Sequence, residues 1–161
     1  MKNDKFLIGI VAGIVLLVIV SVVVVLLRQP SAESYVADDN PAGVVHNYFL
    51  AIQREEYEKA YGYLSDNLKN KPDLDTFSRD MDIYGPDRQS SLTIGETTLD
   101  DARSQVDISI TTYSAGGLFD NNQYTSRDTV YLEATADGSG WRINHFPYPY
   151  WQYDWDEGVR D

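Results

Sequence analysis

The spacing of apolar residues divides the chain into three stretches. From Phe6 to Leu27 it reads FLIGIVAGIVLLVIVSVVVVLL, with no charge anywhere in the run. At about 1.5 Å of rise per residue, that length predicts a helix as long as a bilayer core is thick. Val and Ile are mediocre helix formers in water, but in lipid a lone segment must satisfy its own backbone hydrogen bonds, which only a helix does. Lys2 and Lys5 precede the run, and Arg28 follows it ahead of Glu33, Asp38 and Asp39. The positive-inside tendency then predicts a cytoplasmic N-terminus over 1–5, a transmembrane signal-anchor over 6–27 and the rest of the chain extracytoplasmic. On this reading the protein is single-pass in the cell membrane, with the membrane as its first partner. The run is longer than that of a cleavable signal peptide, and no Ala-x-Ala pattern follows it. Gly9 and Gly13 form a Gly-x-x-x-Gly spacing that offers a helix–helix contact and hence a homodimer, against the simpler reading of plain anchoring.

Residues 28–40 mix Pro, Ser, Ala and acids without period, which predicts a linker. Asn40 as N-cap and Pro41 in the first turn open the next element. Val44, Val45, Tyr48, Phe49 and Ile52 follow at helical steps to about Arg54. Tyr57, Ala60, Tyr61 and Leu64 repeat the stripe after a short acidic break. Leu74, Phe77 and Met81 mark a third helix, opened by Asp73 and closed near Gly85-Pro86. Beyond Gly85 the period falls to two. Leu92 and Ile94 begin one strand, and Asp100-Asp101 turns the chain. Val106, Ile108 and Ile110 alternate with polar residues in a second strand, and Val130, Leu132 and Ala134 do so in a third. Asp137-Gly138-Ser139-Gly140 is a turn before Trp141 and Ile143 in a fourth. Ser114 to Ser126 reads as a long polar loop. Helices first and strands second predict an α+β fold: three helices packed on a curved, mostly antiparallel four-stranded sheet, over 41–146, behind the N-terminal transmembrane helix.

Composition changes this picture in two places. The net charge of -12 is uneven: Lys2, Lys5 and Arg28 against Asp4 give residues 1–30 a net of +2, so residues 31–161 carry -14. That acidic body excludes nucleic acid as a partner, since phosphate contacts need clustered Lys and Arg. The absence of cysteine excludes disulfides, thiol catalysis, cysteine-ligated zinc and iron–sulfur clusters.

Two stretches carry a family resemblance. VVHNYFLAIQREEYEKAYGYLSDNL (44–68) has an apolar helix, an acidic break and a Tyr-x-x-Ala-Tyr-x-x-Leu helix. VYLEATADGSGWRIN (130–144) has a closing strand, a Gly turn and a Trp-Arg-Ile strand. Over about Pro41 to Phe146 the chain resembles the nuclear transport factor 2-like superfamily, and most of all its membrane-anchored bacterial members. The resemblance implies a cone of helices wrapped by a curved antiparallel sheet. It leaves function open, because the superfamily includes transport factors, isomerases, dehydratases and cyclases.

Enzymes of that superfamily place an acid or base beside a tyrosine inside the cone, where burial shifts its pKa. Here His46 and His145 read as structural or surface residues, and Tyr48, Tyr61, Tyr113 and Tyr131 are the hydroxyls available. No catalytic triad order, nucleophile elbow or P-loop is present, and no cofactor is implied. Asp80-x-Asp82-x-Tyr84-Gly85 begins like a calcium loop, but Ser91 stands where the anchoring Glu belongs. Asp154, Asp156 and Glu157 are too close together to enclose an ion, so no metal site is expected.

The stretch 147–161 is the most unusual. FPYPYWQYDWDEGVRD concentrates aromatics between Phe146 and Trp155, while Pro147 and Pro149 forbid a continuing strand. One reading folds Tyr148, Trp151 and Trp155 back over the sheet or into the mouth of the cone. The other leaves Tyr148, Tyr150, Trp151, Tyr153 and Trp155 as a docking patch for a protein or for envelope sugar rings. Together these features favour a non-catalytic binding or accessory domain acting through its cavity or aromatic tail. The alternative is a small-molecule isomerase or hydrolase using a buried carboxylate and a tyrosine.

Overall fold

A 25-residue helix, α1 (Asn3–Leu27), takes up the apolar run in the computed structural model. The structure describes residues 3–27, 33–86, 90–116 and 120–155, with side chains over 8–23, 33–86, 90–113 and 123–155. Residues 28–32 of the expected linker, and Asp156, Glu157 and Gly158 of the tail, lie outside the described residues. The chain falls into two compact units, Met1–Ser34 and Tyr35–Asp161.

The expectation of a transmembrane signal-anchor over 6–27 is corrected here. Among the described residues no helix is long and apolar enough to cross a membrane. Crossing one takes a run of roughly 20 apolar residues in a single helix. The single-pass localisation, which rested on that span, is corrected with it.

In the second unit, Asn40 accepts the Gly43 N–H at 2.9 Å and starts α2 (Pro41–Gln53), with Pro41 in the first turn. Glu55, with φ 60, breaks the chain before the single turn of α3 (Tyr57–Tyr61). Asp73 accepts the Thr76 N–H at 2.7 Å and starts α4 (Leu74–Tyr84). Four strands follow, β1 (Ser90–Asp100), β2 (Arg103–Gly116), β3 (Asp120–Ala134) and β4 (Trp141–His145). They form one antiparallel sheet in chain order. The fold is α+β, with the helical half preceding the strand half as the change of period predicts.

The loop expected over 114–126 is instead a hairpin arm. β2 and β3 stay in unbroken register from Arg103↔Glu133 to Gly116↔Asp120, and Thr111 and Thr125 share a hydroxyl hydrogen bond of 3.0 Å across it. Among the arm's described side chains, 111–113 and 123–129, none is fully buried, so the arm shows no apolar alternation there. Its Thr and Tyr residues nevertheless suit an extended backbone.

The core forms where the apolar face of the sheet meets α2. Val106, Ile108, Ile110, Val130, Leu132 and Ile143 pack with Val44, Val45, Tyr48, Phe49 and Ile52, and Phe77 and Met81 of α4 close the cluster. Residues 63–65 run parallel to β4, with the Ile143 N–H on Tyr63 O and the Ser65 N–H on Ile143 O, both at 2.8 Å.

Ahead of α2, Asn47 clamps the chain at Val36. Its Nδ2 donates to Val36 O at 2.9 Å and its Oδ1 accepts the Val36 N–H at 3.0 Å. Gly43 makes room for this, since a Cβ there would collide with the Ala37 carbonyl. Tyr35 then lies against the core, donates to Glu56 at 2.8 Å and takes Lys59 Nζ 2.9 Å from its ring centroid.

Candidate contact surface

Pro147 ends β4, and the ten residues after His145 split into an inner and an outer set. Phe146, Tyr150, Trp151 and Trp155 are buried, Trp151 to 1%. Tyr148 and Tyr153 are 51% and 75% exposed. The split has a geometric cause: the Tyr150 N–H returns to Pro147 O at 3.1 Å, so the tail turns rather than extends.

The inner set is held by polar contacts that its sequence pattern did not announce. The Tyr48 hydroxyl donates to Tyr150 O at 2.5 Å inside the core, and burial pushes the Tyr48 pKa well above the usual tyrosine range. The Tyr150 hydroxyl meets Ser90 Oγ at 2.6 Å, and Gln53 Nε2 donates to Ser90 O at 2.6 Å. Asn70 fixes the far end, its N–H on Trp155 O at 3.3 Å and its Nδ2 on Asp154 O at 2.7 Å. Ring contacts run from Phe49 to Tyr150 at 4.8 Å, Trp151 to Trp155 at 5.4 Å and Trp155 to Phe77 at 5.3 Å. His145, buried, lies between the rings of Tyr131 and Trp151.

The outer set is one feature, a stacked pair. The rings of Tyr148 and Tyr153 lie 5.0 Å apart and 9° from parallel. Stacking covers the facing side of each ring and leaves the rest exposed, an aromatic plate of the sort that interfaces favour. Of the five tail residues considered as contacts, the structure leaves Tyr148 and Tyr153 at the surface and places Tyr150, Trp151 and Trp155 in the core. The tail therefore does fold back onto the domain, but Tyr148 is not among the residues that do so.

The described interior is largely aromatic. Its largest fully buried side chains are Trp151, Tyr48, Tyr150, Phe49, Phe77 and Phe146. Among the described residues the buried polar side chains are Asn47, Ser65, Ser104 and His145, none of them a carboxylate. Asn47 is spent on Val36, and Ser104 donates to Thr98 O at 3.1 Å. Ser65 donates to Glu133, which also accepts Asn67 Nδ2 at 2.7 Å. Tyr61 donates to Pro72 O at 2.9 Å, while Tyr113 and Tyr131 are exposed. Asp80 and Asp82 stand on α4, and among the described residues no group of three candidate ligands forms.

Sequence reasoning missed Asn47, Asn70, Gln53 and Ser90. Their neighbours in sequence are ordinary, and their roles arise only from partners 11 to 84 residues away.

No protein-family model matches the chain, and none of the curated proteins does. Among solved structures it is similar to a SEC-C motif containing protein from Rhodopseudomonas palustris (TM-score 0.48, 13% identity, covering 73% of this chain and 80% of that one). It is also similar to a protein of the nuclear transport factor 2-like family from Streptomyces avermitilis (0.40, 12%, 62% and 86%). A third is the Δ5-3-ketosteroid isomerase of a Mycobacterium species (0.42, 14%, 65% and 90%). Likenesses at these scores and identities assign no activity to this chain.

Proposed function

We propose that the domain is a non-catalytic contact module of the nuclear transport factor 2-like type, whose contact surface is the stacked Tyr148–Tyr153 pair. One observation carries this reading: a tail whose inner aromatics are core holds its two outer aromatics exposed and parallel on a fixed base. Burial of Tyr150, Trp151 and Trp155 contributes roughly 1.5–3 kcal/mol for each large side chain, so the plate is presented at little further entropic cost. The ligand classes that fit are a protein segment or a sugar ring, both of which stack on flat aromatic faces. An isomerase or hydrolase would need a carboxylate beside the Tyr48 hydroxyl, and the geometry around that hydroxyl gives it a backbone carbonyl instead.

The test is co-purification with the full chain and with a Tyr148→Ser/Tyr153→Ser variant. The variant should retain the wild-type melting temperature and lose the partner recovered with the wild type. Equal recovery of that partner would remove the pair as the contact.

A further inference from the structure

Two tyrosines show how this domain holds a cation. Lys59 Nζ sits 2.9 Å from the Tyr35 ring centroid, and Arg54 Cζ lies 5.1 Å from it. Glu56 completes that group, accepting the Tyr35 hydroxyl at 2.8 Å and standing 3.9 Å from Lys59 Nζ. At the second, Lys71 Nζ lies 4.8 Å from the Tyr61 centroid and 2.5 Å from the Asp66 carboxylate. In both, the negative face of a ring and a carboxylate share one cation.

The Tyr148–Tyr153 pair has the rings and the acid without the cation. Asp154 follows Tyr153 directly and is exposed, and Asn70 Nδ2 fixes its backbone carbonyl at 2.7 Å. Among the described residues no Lys or Arg pairs with the Asp154 carboxylate, and none stands over either ring. The sequence supplies none nearby: from Ile143 to Val159 it contains no Lys or Arg, while Asp156 and Glu157 add to the acid at Asp154. The stack covers only the facing side of each ring, and Tyr153 stays 75% exposed.

We infer, resting on the contact surface proposed above, that the occupant of the pair is an arginine side chain on a basic segment of a partner protein. Charge decides between the two ligand classes that stack on aromatic faces. A sugar ring is neutral and gains only from the ring faces. A cation gains from the faces, from the Asp154 carboxylate and from the charge of -14 on residues 31–161, which steers a basic segment inward and repels an acidic one. Arginine fits better than lysine, because its planar, weakly hydrated guanidinium lies flat on a ring while its N–H groups stay free for a carboxylate beside it. The ammonium of lysine is a more strongly hydrated point charge and loses more on leaving water.

The test uses the full chain in a mild non-ionic detergent, since the described side chains of α1 are apolar and exposed. The probes are the peptide Gly-Ser-Arg-Gly-Arg-Ser-Gly, the same peptide with lysine in place of both arginines, and chitotetraose as the sugar. Binding is read from the backbone amide shifts of residues 148, 153 and 154 in NMR titrations. The arginine peptide should shift these amides and bind more tightly than the lysine peptide, and chitotetraose should leave them unmoved. Tyr148→Ser/Tyr153→Ser leaves the charge unchanged and should weaken the arginine peptide about fivefold or more, whereas Tyr148→Phe/Tyr153→Phe should hold within about twofold. Asp154→Asn and added salt should each weaken it too. The inference is overturned by no arginine-peptide shifts in the wild type, by equal affinity in the wild type and the serine variant, or by equal affinity for the lysine peptide. It is overturned as well if chitotetraose alone shifts these amides, a result that would keep the pair as a contact surface and give it to sugars. Whether the pair is a contact surface at all is decided separately, by the co-purification with the serine variant.

Discussion

Tyr48 shows what a single residue decides in this molecule. It belongs to the apolar stripe of α2, yet its hydroxyl holds the Tyr150 carbonyl 102 residues away. Tyr48→Phe keeps the ring and leaves a buried carbonyl without its donor, an expected loss of about 1–3 kcal/mol in urea denaturation. The pH dependence has a definite sign. Burial raises the Tyr48 pKa, so the folded state favours the protonated phenol. That contribution is complete below the ordinary tyrosine pKa of about 10 and is lost as pH rises beyond it. Tyr35, pushed up to about 12 by burial and by Glu56, acts in the same direction between about 10 and 12. Stability should fall above pH 10, and Tyr48→Phe should shallow that fall without abolishing it. An equally steep alkaline limb in the variant would contradict the role given to Tyr48. The stripe that buries Tyr48 was legible in the sequence. Its partner was not, because nothing in a 3.6-residue period says which buried hydroxyl meets which carbonyl.

At the scale of elements, the caps and turns were the most legible features. Asn40, Asp73 and the Asp137–Gly140 turn work through contacts within five residues. In that turn Gly138 supplies φ +69, and hydrogen bonds from Thr135 and Ser139 hold the Asp137 carboxyl down at about 2. The arm of β2 and β3 was hidden because strand periodicity in a sequence reports a buried face, and among the arm's described side chains between Ile110 and Val130 none is fully buried. The segment 35–37 was hidden for the opposite reason: it has no regular structure of its own and is fixed from outside by Asn47. Asn47→Ala removes both bonds to Val36 and should free that segment, seen as faster amide exchange at Val36 and a loss of about 1–2 kcal/mol. Unchanged exchange at Val36 would show that the Tyr35 contacts alone suffice.

For the whole molecule, the composition has to be read unit by unit. The apolar run is helical, but among the described residues no helix is long and apolar enough to cross a membrane, against the transmembrane anchor expected of it. The acidic remainder builds an α+β domain whose core reaches into its last described residues. Placing the C-terminal aromatics was beyond sequence reasoning, since Tyr148, Tyr150, Trp151, Tyr153 and Trp155 are alike in composition and separated only by a turn at Pro147–Tyr150. That division between core and surface is the central claim. The most direct measurement is the thermal unfolding of the chain ended at Phe146 against the full chain. Loss of Tyr150, Trp151 and Trp155 should lower the melting temperature by more than about 10 °C or abolish a cooperative transition. An unchanged melting temperature would contradict the account, because the inner aromatics would then not belong to the core.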